Sequence, residues 1–299
     1  MERSILAQEI RAAFPALDLR EQEPMKAHTS FRIGGPAEVY AEPDSEETLC
    51  ALWRFLTARG VPVAVIGNGT NLLVHDEGVK GAVLRLGERF SAVYRRENAL
   101  FACAGVTLAR LAVFAREQGL AGLEFAHGIP GSLGGAVMMN AGAYGGEMAD
   151  VVRTVRCMAP DGSVHETGAP GFSYRRSRFT DSGEVILGAA LALTPDDPAA
   201  IHGRMMELWN KRSASQPLDR PSAGSTFKRP QTGYAAALID AAGLKGACVG
   251  AARVSEKHAG FVINTGGATF ADVTALMARI QETVFEQSGV HLEPEVRIL

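Results

Sequence analysis

Three short stretches carry side chains suited to chemistry on a charged substrate. "GFSYRRSRF" (171–179) sets Arg175, Arg176 and Arg178 beside Tyr174. A planar guanidinium there suits two-point binding of an anion, set against the ordinary reading of a solvated basic loop. "PSAGSTFKRP" (221–230) places Ser225 behind a glycine, with Lys228 and Arg229 following. Such a serine is a turn or helix cap, or else a proton donor aided by an oriented donor network; the pattern is not G-x-S-x-G. "LEPEVRIL" (292–299) alternates Glu293 and Glu295 about Pro294, which puts both carboxylates on one face of an extended segment. They form a solvated edge, or one of them points into a cleft. His28, Arg32 and His127 are equally open. Glu256 and His258 stand two apart, which is no metal-binding pattern, and no metal site is expected.

Two glycine-bearing loops add a second kind of chemistry. "IGNGTNLLV" (66–74) has Gly67 and Gly69 at G-x-G spacing, but Leu72 occupies the third glycine position and a strand follows instead of a helix. That excludes the Rossmann arrangement. A strand–loop–strand still aims successive backbone N–H groups at an anion, with Asn68, Thr70 and Asn71 as further donors; a tight turn explains the same residues equally well. "GIPGSLGGAVMMNAGAYGGE" (128–147) holds seven glycines in twenty residues. Pro130 fixes φ after Gly128 and Ile129, while bare positions at Gly131, Gly134 and Gly135 around Ser132 permit close approach by a ligand. N–H groups at the helix start there would receive a pyrophosphate without a cation. An interior glycine costs about 1 kcal/mol relative to alanine, so close packing or ligand contacts must recover the cost. Asn140, Ala141 and Gly142 then offer small residues for a flat ring system. Two such loops separated by a helix favour a dinucleotide over a single phosphate.

The elements that must hold these residues are legible in outline. The N-terminal "MERSILAQEIRAAFPAL" reads as an amphipathic helix, not a signal sequence, and "AEVYAEP" (37–43) as a strand. Asp44 and Glu47 form a capping box for a helix reaching Arg59, and Thr107 caps another through Gln118. Strands are expected at 61–66, 82–86, 91–95, 99–105, 151–158 and 184–193, with a buried one in "VPVAVI". A long helix follows residue 195, and Thr269 with Asp272 caps a second ending near Gly289. The tail alternates like a strand. The 299 residues, 46% apolar and 21% charged with net charge −3, indicate an α+β globular protein and argue against a nucleic-acid partner. No apolar run reaches the length of a membrane span. Cys50, Cys103, Cys157 and Cys248 form no CxxC pair or zinc-like cluster and read as buried free thiols of a cytoplasmic protein.

Seven stretches run in order along almost the whole chain: "TSFRIGGPA" (29–37), "IGNGTNLLV" (66–74), "GLEFAHGIPGSLGGAVMMNAGAYGGE" (122–147), "YRRSRF" (174–179), "SAGSTFKRP" (222–230), "HAGFVIN" (258–264) and "LEPEVRI" (292–298). The chain bearing them resembles the UDP-N-acetylenolpyruvoylglucosamine reductases, flavin enzymes that make UDP-N-acetylmuramic acid for peptidoglycan. The resemblance implies an FAD-binding fold of the vanillyl-alcohol-oxidase type in two subdomains (1–60 and 61–195) and a substrate-binding domain (196–293). Whether the C-terminal strand at 294–299 returns to the first subdomain is left open. The resemblance also implies NADPH as hydride source, a UDP-sugar substrate, and Arg175, Ser225 and Glu295 as catalytic residues. The two glycine loops become the FAD contacts: Gly67 through Leu72, Gly128 through Ser132, Gly134, Gly135, and Asn140 through Gly142.

Departures mark a shorter subgroup. Lys228-Arg229-Pro230 stands where some relatives have Lys-Asn-Pro, Ser215 replaces a lysine, and 193–210 has no room for their tyrosine loop. Tyr174, Arg212, Gln216, Lys228 and Arg229 are the expected substrate contacts. A monomer is expected, with a dimer left open. An oxygen-using oxidase on the same scaffold and a non-catalytic nucleotide-binding protein are the alternatives.

Overall fold

The computed structural model describes residues 2–299. Its contacts divide the chain into two units, the first made of the chain up to Glu21, Glu38–Asn68 and Lys80–Arg212. This unit opens with α1 (Glu2–Ala13) and contains a four-stranded sheet of β1 (Asp18–Pro24), β2 (Pro36–Glu42), β3 (Val63–Ile66) and β4 (Val79–Arg85), in the order β1-β2-β4-β3. β3 runs parallel to β4. Of its four residues only Ile66 is buried, so "VPVAVI" is a half-covered strand and not the fully buried one expected. α2 (Glu46–Thr57) buries Leu49, Leu52 and Leu56. Its cap is Ser45, whose hydroxyl accepts from the Thr48 N–H at 3.2 Å. The expected Asp44–Glu47 box is thus displaced by one residue, and Asp44 accepts from the Thr48 hydroxyl instead.

A second sheet in the same unit comprises β5 (Val93–Arg96), β6 (Ala99–Cys103), β7 (Val152–Met158), β8 (Val164–Thr167) and β9 (Val185–Ala192). It is antiparallel in the order β8-β7-β9-β6-β5. β9 lies in the middle and has the most buried run of the five, because apolar and small residues let both faces be covered. Thr107 caps α3 (Leu108–Glu117) by accepting from the Arg110 N–H, and the helix buries Leu108, Leu111 and Ala115 as its spacing requires. α4 (Leu133–Met138) follows the second glycine loop. The core of this unit joins Leu84, Leu100, Leu111, Leu133, Val155 and Leu191. α5 (Pro198–Ser215) adds Ile201 and Met205 to it, which carries the first unit to Arg212 and past the boundary expected at 195.

The second unit is assembled from Gln22–Ala37, Gly69–Val79 and Ser213–Leu299. Its first portion lies between the middle of β1 and the start of β2, within the stretch expected as the 1–60 subdomain. The unit contains α6 (Ala235–Ala241) and α7 (Phe270–Ser288). α7 carries the expected capping box, with the Thr269 hydroxyl accepting from Asp272 N–H at 3.0 Å and Thr269 N–H donating to the Asp272 carboxylate at 3.1 Å. Gly289 ends it in the left-handed region at φ 69°. Val273, Leu276 and Ile280 pack with Phe31, Leu73 and Val296. Of the tail only Arg297–Ile298 is strand, paired parallel with Leu72–Leu73 of this unit and not with the first subdomain. Pro294, lacking an N–H, stays outside the strand. The thiols differ from expectation as well: Cys50 and Cys157 are buried, but Cys103 is half-buried and Cys248 exposed.

Thr269→Ala removes one half of the α7 capping box. The expected loss is about 1 kcal/mol in urea unfolding, seen as a lower midpoint at unchanged m-value.

Candidate active site

The two glycine loops meet at one contact. A Cβ on Gly67 would lie 2.1 Å from the Ser132 hydroxyl, so only glycine lets the end of β3 reach the second loop. That second loop is fixed by backbone bonds from Leu108 N–H to Gly131 O (3.0 Å), Leu133 N–H to Val106 O (2.9 Å) and Gly134 N–H to Ala104 O (2.8 Å). Among the described residues, the N–H groups of Gly67, Asn68, Gly131, Ser132 and Gly135 find no acceptor within the protein. Gly67, Asn68, Gly131 and Ser132 are buried or half-buried, and amides left this way call for an external acceptor, whereas Gly135 is exposed to solvent. α4 is only six residues long and Ser132 makes no capping bond, so the donors are individual amides and not a strong helix dipole.

Most glycines here are demanded by the protein's own packing, contrary to the expectation of a surface cleared for a ligand. A Cβ on Gly69 would meet His28 O at 2.1 Å, on Gly134 the Ala104 Cβ at 3.0 Å, and on Gly142 the Gly146 O at 2.7 Å. Gly135 and Gly145 are exceptions: both are exposed, with nothing within 4 Å of an added Cβ. Ile129 packs against the core and Pro130 is exposed.

Asn140 is held within the fold by its side chain. It is 1% exposed, with φ 44°, and its amide donates to Ser173 O (3.2 Å) while its carbonyl accepts from Ala149 N–H (2.9 Å). Ser173 and Arg176 exchange backbone bonds at 2.9 and 3.1 Å, closing a turn with Tyr174 and Arg175 at its tip. Arg175 sits at φ 55°, a strained value for a residue with a side chain. The hydroxyls of Ser177 (2.7 Å) and Thr180 (3.2 Å) both donate to Met138 O. The arginine turn is therefore bolted to the segment leaving α4, and the Arg175 Nη2 lies 3.5 Å from Gly142 O. Tyr174 is exposed, with the Arg175 guanidinium 5.2 Å from its ring centre. Ala141 and Gly142 help build this loop, so the side chains of 140–142 serve the fold before any ligand.

The second unit brings Ser225 and Glu295 onto neighbouring segments. Glu295 N–H donates to Thr226 O at 2.9 Å, Lys228 N–H donates to Glu293 O at 2.8 Å, and Phe227 bridges Pro294. Ser225 is exposed after Gly224, whose φ is 76°, and Glu295 is half-buried. Asn71, expected on the cofactor, spends its side-chain amide on Glu295 O at 3.0 Å, and its own carbonyl accepts from Arg297 N–H. Leu72 is a strand residue opposite Arg297, and Thr70 is half-buried beside it. Glu293 is ion-paired with Lys228, which separates the two alternating carboxylates by role. Arg229 lies over the Tyr234 ring at 4.2 Å.

Arg212 belongs to the first unit, where its stem comes within 3.0 Å of a Cβ on Gly128 and burial pushes its guanidinium below its usual value. Gln216 has a buried side-chain oxygen with no protein partner among the described residues. So has the Nδ1 of His127, whose ring is 6.1 Å from Trp209. Burial holds His127 below the ordinary imidazole range.

Two protein families match separate stretches of the chain. Residues 37–168 match the FAD binding domain family, and residues 216–299 match the UDP-N-acetylenolpyruvoylglucosamine reductase, C-terminal domain. A UDP-N-acetylenolpyruvoylglucosamine reductase of Agathobacter rectalis is 48% identical over 95% of each chain. One of Caldanaerobacter subterraneus is 45% identical over 99% of this chain and 98% of its own. The crystal structure of UDP-N-acetylenolpyruvylglucosamine reductase from Thermus caldophilus superposes with a TM-score of 0.81 at 37% identity, covering 94% of this chain and 98% of that one.

Asn140→Ala loses two buried hydrogen bonds, about 0.5–1.5 kcal/mol each, so roughly 1–3 kcal/mol of stability is expected to go in chemical denaturation. Gly67→Ala is expected to lower the FAD content of purified protein, read from the flavin-to-protein absorbance ratio. Ser132→Gly in the same chain restores part of that content, because it removes the atom the methyl strikes.

Proposed function

The chain belongs to the UDP-N-acetylenolpyruvoylglucosamine reductase family, and on that premise we propose that it reduces UDP-N-acetyl-3-O-(1-carboxyvinyl)-glucosamine to UDP-N-acetylmuramate for peptidoglycan, with NADPH as reductant and FAD as bound carrier. The similarity to the Agathobacter rectalis enzyme over nearly the full length of both chains carries this reading. The cofactor's place is supported by the cluster of unpaired amides at Gly67, Asn68, Gly131, Ser132 and Gly135, beside the open face of Gly135. Those donors suit the phosphates of a dinucleotide without a cation. Bound FAD supplies the two-electron relay between nicotinamide and sugar nucleotide.

The protein's own residues supply placement and charge. Arg175 holds the substrate carboxylate, where negative charge grows as the vinyl group is reduced, through charge-assisted hydrogen bonds. Its anchored turn fixes the backbone from which the guanidinium reaches, which limits the reorganisation left for the reaction itself. Ser225 delivers the proton to the carbon that bears the carboxylate. Glu295, held through its main chain to Thr226 and Asn71, orients the donors around that serine. Tyr174, Arg212 and Gln216 are proposed contacts for the UDP-sugar. Lys228 and Arg229 join them only by exchanging Glu293 and the Tyr234 ring for substrate. Among the described residues no helix is long and apolar enough to cross a membrane. The cytoplasm is the proposed compartment and a monomer the proposed state.

Ser225→Ala is expected to leave flavin reduction by NADPH near the wild-type rate and to slow reoxidation by the enolpyruvyl substrate about 10²-fold or more. Anaerobic stopped-flow absorbance separates the two half-reactions; equal losses in both exclude the proton-donor role. Arg175→Lys is expected to impair the second half-reaction too, because a point charge cannot copy the planar two-point contact.

A further inference from the structure

We propose that Cys157, His165 and Glu184 form a binding site for a thiophilic divalent cation of the Zn²⁺ class, with three protein ligands and a fourth position open to solvent. Cys157 and Glu184 are 27 residues apart with His165 between them, and the second sheet of the first unit collects all three. Cys157 on β7 stands directly opposite His165 on β8. On its other side Cys157 faces Ile186 of β9, two residues after Glu184, so strand alternation returns the carboxylate to the same face. Cys157 Sγ lies 3.3 Å from His165 Nε2 and 3.7 Å from Glu184 Oε1, and those last two atoms are 2.9 Å apart.

These separations are close to those a metal would impose. Tetrahedral Zn²⁺ has Zn–S of about 2.3 Å and Zn–N and Zn–O of about 2.0–2.2 Å, which sets ligand-to-ligand edges of about 3.4–3.6 Å. Each ligand pair therefore needs an adjustment of about 0.5 Å or less. The donor set joins a soft sulfur, an imidazole nitrogen and one carboxylate oxygen, which selects Zn²⁺ over Mg²⁺ or Ca²⁺.

The surroundings supply the outer support such a site needs. Arg178 contacts Glu184 Oε2 through Nε (3.2 Å) and Nη2 (3.0 Å), and Oε1 through Nη2 (2.9 Å). With Oε1 turned to a metal, Arg178 keeps Oε2 and fixes the carboxylate plane. Its positive charge also weakens cation binding, which makes the site exchangeable and not a permanent structural clip. Cys157 and Glu184 are buried while the His165 side chain is 40% exposed, so entry is from the imidazole side.

The test uses the FAD-loaded full-length protein after chelator treatment, titrated with Co²⁺ and, separately, with Zn²⁺ and Mg²⁺. One equivalent of Co²⁺ is expected to give the intense d–d bands of a tetrahedral site, at wavelengths beyond flavin absorption, and Zn²⁺ is expected to displace it. Zn²⁺ but not Mg²⁺ raises the melting temperature. Cys157→Ser and His165→Asn each weaken binding at least tenfold, whereas Cys248→Ser, at the exposed thiol, leaves it unchanged. His165 is partly exposed, so its variant remains informative if the buried serine variant fails to fold. Absence of tetrahedral bands, or binding that survives His165→Asn and disappears with Cys248→Ser, overturns the proposal.

Discussion

The contact between the Gly67 main chain and the Ser132 hydroxyl governs the cofactor side of this molecule. At this contact not even a methyl group fits, so two chain segments more than sixty residues apart are laid side by side. Both segments carry amides without partners of their own, at Gly67 and Asn68 on one and at Gly131, Ser132 and Gly135 on the other. The specificity is steric and electrostatic together: missing side chains allow the approach, and unsatisfied donors give it a chemical purpose. No arginine or lysine is needed at the spot.

A related economy holds the arginine turn. Asn140, forced into a positive φ, spends its amide on Ser173 and its carbonyl on Ala149, while Ser177 and Thr180 converge on Met138. Strain at Asn140 and Arg175 is sustained because several hydrogen bonds over-determine the two turns. The segment after α4 thereby serves as the common mount for the glycine loop and for the guanidinium.

Much of the fold was legible because its signals are local. Thr107, the Thr269–Asp272 pair and Gly289 mark helix ends through atoms a few residues away, and the apolar run of β9 needs only the strand itself. Ser45 was missed because Asp44 has equal capping chemistry, and only backbone dihedrals decide between adjacent candidates. Ile201 and Met205, beyond the boundary expected at 195, show their partner only after folding. The site was less legible for the same reason. Composition reveals that the glycines are costly, yet not whether a ligand or the chain itself fills the space, and here His28, Ala104 and Gly146 fill most of it. Asn71 and Asn140 have the side chains of ligand donors, but their partners are carbonyls at 295 and 173. The Cys157–His165–Glu184 group left no trace in spacing because strand register assembles it.

The second unit is threaded from three separate portions of the chain, and its last β-pairing joins Arg297–Ile298 to Leu72–Leu73, with Leu299 exchanging bonds with Leu73 and His75. During vectorial synthesis on the ribosome, the segment at 69–79 must wait for partners that emerge more than two hundred residues later. Until then Leu73 and Val74, fully buried in the finished protein, have no complete cover. The nascent chain therefore passes through a prolonged interval with an exposed sticky edge, a natural point for chaperone engagement.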